Sequence, residues 1–180
     1  VLSELLLHFA IPFAAFSYFR RPRKAFVASF IALLPDVDAL LVGVHRSASH
    51  SFVVVLALCG ITLLLIRVVR PRLLGLGLLA TLGLSSHLLL DLFTTYTPIF
   101  WPLVGWSLFI SLDGEVYVSE SVNLKASLDL STITTEFTPF TVLDAPVFRS
   151  EGFAVSLILI GSIFANMYSD ELRSLFGRVV

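Results

Sequence analysis

The sequence is short of charge. Lys, Arg, Asp and Glu make up 14% of its 180 residues, where about 25% is usual for a domain that folds in water. A hydrophobic fraction of 57% and a mean hydropathy of +0.93 accompany that deficit. A water-soluble fold of this length has one core, and one core cannot hide so much apolar surface. A soluble globular enzyme is excluded, and so is a disordered chain. Basic excess is missing too. The net charge is −1 and the pI near 6.5, so no nucleic-acid partner is expected. Cysteine is almost absent. The single one, Cys59, lies in an apolar run, which excludes a disulfide framework and a thiolate metal site.

What the chain does have is apolar runs near the length of a membrane span, about 20 residues for a hydrocarbon core of about 30 Å. Residues 1–19 form the first, interrupted by His8 and Pro12 and closed by Arg20, Arg21, Arg23 and Lys24. It carries Glu4 and no basic segment before it, so it is not expected to be a cleavable leader. Residues 25–43 form a second run, broken at Pro35-Asp36-Val37-Asp38. Residues 51–69 are a clean third, and residues 73–93 a fourth, with His87 and Asp91 near its end. Residues 99–110 are apolar but short, and Pro98 and Pro102 mark them as re-entrant or interfacial. Trp101 and Trp106 fit an interfacial belt there. Residues 111–152 alternate polar and β-branched side chains and read as β-rich. Residues 153–168 return as a last, short span.

The fold expected is an all-α polytopic membrane protein. It has about five transmembrane helices, a short re-entrant or interfacial segment, and a small polar, β-rich extracytoplasmic excursion. Residues 1–110 would form the membrane-embedded core, 111–152 the excursion, and 153–180 the last helix and its tail. Nine of the 12 basic residues fall on one side when the spans alternate; Arg46, Lys125 and Arg149 fall on the other. The nine-residue side should be cytoplasmic. A multi-pass protein of the plasma membrane follows, with its N-terminus outside and its C-terminus inside.

Ionisable groups inside apolar spans are costly and mark function by default. Here they are His8, Asp36, Asp38, His45, Arg46, His50, His87 and Asp91, and they include all four histidines of the chain. Under this topology every one lies in the outer half of a span or in the outer loop of residues 44–50. His87 and Asp91 are one helical turn apart and project from one face. Pro35 breaks the second run, freeing Asp36 and Asp38 from helical spacing. Imidazoles and carboxylates together suit zinc first, with manganese or iron as alternatives, as one ion or two. The expected ligands are His8, Asp36, Asp38, His45, His50, His87 and Asp91. Arg46 suits a phosphate or an anionic transition state, and Asp38 is an alternative general base. Ser49, Ser51, Ser86 and Thr94 adjoin these ligands. Each group has an ordinary explanation taken singly: a hydrogen-bonded core histidine, a helix cap, a snorkelling arginine. Taken together they would need several unrelated ones. The glycines Gly60, Gly75, Gly77 and Gly83 read as close helix packing.

The order of these motifs resembles the YdjM-like family of membrane-bound, metal-dependent hydrolases. The matching features are His8; Leu34-Pro35-Asp36-Val37-Asp38; His45-Arg46-Ser47-Ala48-Ser49-His50-Ser51; Ser86-His87-Leu88-Leu89-Leu90-Asp91; then Phe93-Thr94-Thr95-Tyr96 and Trp101-Pro102. The resemblance departs at Leu7, Pro12, Ser47 and Thr97, which bear on loop geometry more than on the ligands. It implies a membrane-embedded, metal-dependent hydrolase. The ligand progression is also loosely similar to zinc-dependent phospholipases C.

The reaction expected is cleavage of a phosphoester in a membrane lipid or lipid-linked substrate by water activated on the metal. Two other classes stay open. One is a non-catalytic metal-binding subunit of a larger membrane complex, with residues 111–152 docking a membrane-protein partner. The other is a metal or proton transport protein, disfavoured because the inner halves of the spans hold no ionisable residues.

Overall fold

The structure is a computed structural model that describes residues 5–18, 22–41, 43–44, 46–118, 122–141 and 150–168. The expected ligand His45 and the polar tail lie outside the described residues. The architecture is mostly helical, with one two-stranded sheet.

Helix α1 (Leu5–Ser17) packs on α2 (Pro22–Ile31), on α5 (Leu74–Asp91) and on α6 (Ser150–Met167). Phe13 and Phe16 of α1 close over Ala25 and Ala28 of α2. The small α2 side chains let α5 approach closely. A Cβ at Gly83 would stand 3.0 Å from the Ala28 carbonyl oxygen and 3.2 Å from Ala32 Cβ, so glycine is what the crossing requires. Gly77 plays the same part against α4 (Phe52–Val69), where a Cβ would meet Leu63 at 2.9 Å. Gly60 and Gly75 touch nothing that a side chain would displace.

Among the described residues, three helical stretches are long and apolar enough to cross a membrane: Phe52–Val69, Pro71–Asp91 and Ser150–Met167. Most of their large side chains face outward, as at Leu56, Leu64, Leu82 and Leu157. Within the described residues, the first two expected spans hold short helices. Helix α1 has 13 residues and α2 has 10, roughly 20 and 15 Å of helix. The second run breaks as its proline requires. The chain leaves α2 at Ile31, makes a 3₁₀ turn over Leu34–Val37 with Pro35 in its first turn, and continues as the four-residue α3 (Asp38–Leu41).

Residues 99–110, expected as a short re-entrant or interfacial segment, hold no helix. Residues 99–105 are turns and bends, and strand β1 (Trp106–Val118) has already begun by Trp106. It pairs antiparallel with β2 (Val122–Thr134), from Trp106 opposite Thr134 to Val118 opposite Val122. The β-rich excursion is therefore real but starts earlier than residue 111. It is not polar throughout either, because one face of the hairpin is apolar. Its foot is tied to the helices. Thr97 and Leu108 exchange two backbone hydrogen bonds of 2.9 Å, and the Ile110 amide donates to the Leu92 carbonyl at 2.8 Å. Leu108 and Ile110 pack on a second core cluster of Val55, Leu88, Leu92 and Ile99.

Candidate metal centre

Four separate elements deliver the ionisable residues to one place. Helix α1 brings His8, the turn after α2 brings Asp36, the 3₁₀ turn Ala48–His50 brings His50, and the end of α5 brings His87 and Asp91. His8, His50, His87 and Asp91 are at most 1% exposed, and Asp36 and Asp38 stay below a tenth.

The closest donors form a ring. His50 Nε2 lies 3.3 Å from Asp91 Oδ2 and 3.5 Å from Asp36 Oδ1. His87 Nε2 lies 3.3 Å from the same Asp91 oxygen and 3.5 Å from the same Asp36 oxygen. Donors bonded at about 2.0–2.1 Å to one tetrahedral ion stand about 3.3–3.4 Å apart. The four measured edges match that spacing. They are too long for good hydrogen bonds, and neither ring nitrogen of His87 makes one. An imidazolium at His87 would donate from Nε2 to a carboxylate; the observed geometry leaves that atom facing two carboxylate oxygens without a hydrogen bond. Charge points the same way. With neutral imidazoles, the carboxylates of Asp36, Asp38 and Asp91 against Arg46 leave two negative charges in a buried site, which suits a divalent cation.

The remaining residues surround the ring. Asp38 stands behind His50, with Oδ2 3.3 Å from Nδ1. That oxygen also accepts from the Ser47 amide and hydroxyl, each at 2.9 Å, and from Ser49 Oγ at 2.5 Å. Such a carboxylate fixes the ring's orientation and tautomer, leaving Nε2 to face the centre. Of the expected neighbours, Ser49 reaches the site both through Asp38 and directly, its Oγ standing 3.1 Å from His50 Nδ1. Thr94 touches Arg46 at 3.4 Å. Ser86 turns back onto the Gly83 carbonyl of its own helix. Ser51 caps α4 at the Val54 amide and donates to the Trp101 carbonyl. Ser47 is a contributor that the sequence reading did not single out, although it sits inside the histidine–arginine segment.

Arg46 and His8 meet the other oxygen of Asp91. Arg46 Nη2 is 3.2 Å from Oδ1, and His8 Nε2 is 3.6 Å from it. Arg46 holds a left-handed backbone, φ 60°, an uncommon conformation for a residue with a side chain and one found at functional sites. His8 stacks on His87 with ring centroids 4.0 Å apart, and it forms a second three-residue group with His87 and Asp91. A guanidinium already occupies the position next to Asp91 Oδ1, and the other three-residue group of donors is Asp36, His50 and His87.

Among the described residues, three helices long and apolar enough to cross a membrane and a buried histidine–aspartate cluster where α4 begins and α5 ends define a helical membrane protein. A family comparison narrows this: the model of the YdjM inner membrane protein family matches residues 5–169. The chain belongs to that family. No curated protein and no solved structure matches it.

Proposed function

We propose that the chain is a membrane-embedded, metal-dependent hydrolase that cleaves a phosphoester in a lipid or lipid-linked substrate. The observation that carries this reading is the ring of His50, His87, Asp36 and Asp91 with edges of 3.3–3.5 Å. Zinc is the first choice for two nitrogen and two oxygen donors, and manganese or iron would also be accepted. Such an ion supplies polarisation of a phosphoryl oxygen and activation of water near neutral pH. Arg46, whose Nη2 lies 3.2 Å from Asp91 Oδ1, would hold the anionic oxygens of the substrate. His8 lies where an imidazole could pass a proton to a departing oxygen. Asp38, expected as ligand or base, is assigned to holding His50, because its Oδ2 already accepts three hydrogen bonds.

A lipid is favoured by what adjoins the centre. An apolar groove of about 340 Å³ runs along α4 and α5. It starts at Leu34 and Leu84, close in sequence to Asp36 and His87, and continues past Cys59 to Ile66. An acyl chain there would leave its head group at the centre. In the full reading the chain makes five crossings. The short α1 and α2 helices complete the bundle, the basic loops face the cytoplasm and the centre lies toward the outside.

The second reading, a non-catalytic metal-binding subunit, is favoured by one observation. Four protein donors on one ion would leave it no open position, and structural sites are closed while catalytic ones keep a position open. The experiment that separates the two uses purified chain, stripped and reloaded in parallel with zinc, manganese or iron. Metal content is measured beside release of phosphate and phosphomonoesters from lipid extracts. About one equivalent of metal with metal-dependent release is expected. Bound metal without turnover on any lipid fraction supports the subunit. Turnover by fully stripped protein, or no metal uptake, overturns the metal centre itself.

A further inference from the structure

The register of the hairpin sorts its side chains cleanly. Leu112, Val116 and Val118 of β1 share a face with Leu128, Leu124 and Val122 opposite them, since successive residues of a strand point to opposite faces. The other face carries Ser111 opposite Asp129, Asp113 opposite Ser127, Glu115 opposite Lys125 and Tyr117 opposite Asn123. The apolar face is bare: Leu124 is 77% exposed and Val118 75%. From Leu112 to Val118 it runs about 20 Å along the strands. Apolar patches of this extent mark an interaction surface.

We infer that this face lies on the membrane interface, with the hairpin flat along the lipid surface beside the metal-bearing end of the helices. Three observations select lipid as the occupant. The face is continuous with the bundle, because Leu108 and Ile110, on the same side of β1, already pack on Val55, Leu88 and Leu92 at the ends of α4 and α5. The foot of the hairpin is ringed by aromatic side chains, with Trp101 against Phe137 and Phe100 against Trp106, the composition that sits at head-group depth. Among the described residues the sheet has only two strands, so each strand leaves one edge of backbone groups without a sheet partner. Hydrocarbon would not satisfy those edges, which bars insertion, and water would not cover the apolar face. The interface satisfies both, leaving Asp113, Glu115, Lys125 and Asp129 on the hydrated side. This inference is independent of the hydrolase reading.

The test uses the full chain in phosphatidylcholine vesicles. Cys59 is replaced by Ser, and single cysteines at 115, 116, 124, 125, 128 and 129 carry an environment-sensitive fluorophore. Quenching by bromine-labelled acyl chains is expected to be several-fold stronger at 116, 124 and 128 than at 115, 125 and 129. Aqueous iodide should give the inverse pattern. A far-UV spectrum matching the parent shows that each variant is folded. Quenching without a two-residue alternation overturns the inference. So does an apolar face shielded from both quenchers whose cysteines cross-link between copies, which assigns it to a second chain. An apolar face shielded from both without such cross-links overturns it equally, in favour of a partner protein.

Discussion

The two ends of β1 adjoin opposite kinds of chemistry. At its foot, the bundle buries histidine, aspartate and arginine with almost no exposure. Along its length, the hairpin shows leucine and valine outward. In water both choices would be destabilising: desolvated charge costs several kcal/mol per ion unless compensated, and an exposed apolar strand invites aggregation. Next to a bilayer they exchange roles. The polar groups are the ones sequestered, and the sequestration is compensated only if something cationic completes the cluster. The apolar groups need no protein partner, because lipid covers them. The two regions therefore answer to different forces, one to coordination and the other to area.

Substitutions can break or sharpen that contrast. The largest effect is expected at His87→Ala. It removes one of four donors and should lower metal affinity by more than the about 10–100-fold that loss of a supporting partner costs, measured by metal content after dialysis. Arg46→Ala should keep the metal and lose about 10²–10³ in kcat on phosphoester lipids. If metal is lost with the arginine, its role is structural. Asp38→Asn should weaken metal binding by about 10–100-fold. Cobalt-loaded protein would show a changed visible spectrum as His50 loses its fixed ring, and Asp38→Glu should restore part of the affinity. The smallest effect belongs to the hydrated side of the hairpin. Lys125→Ala should change thermal stability by no more than about 0.5 kcal/mol and metal content not at all. A large change there would mean that the two regions are not separable.

The membership of the buried cluster was legible because membrane spans make polar residues conspicuous. His8, Asp36, His50, His87 and Asp91 stand out against apolar neighbours, and the structure brings them together. Their division of labour was not legible. Asp36 and Asp38 are equivalent in sequence, and only the turn after Pro35 sends one to the ring and the other behind His50. The run of residues 25–43 is not one continuous helix, because hydropathy ignores where a proline ends one. The strand that begins inside residues 99–110 was not legible for a related reason. A strand with one face packed on the bundle and the other flanked by aromatics reads as a continuous apolar run, and periodicity alone does not separate it from a buried helix.

Leu92 follows Asp91 directly, and its carbonyl accepts the hydrogen bond from Ile110 at the foot of the hairpin. Ser51, just after His50, donates from its hydroxyl to the carbonyl of Trp101. Two members of the buried cluster are thus each one peptide away from the foot of the hairpin. If that foot lies on a bilayer as proposed, thinning, stretching or recharging the lipid layer would act as a lever on the cluster.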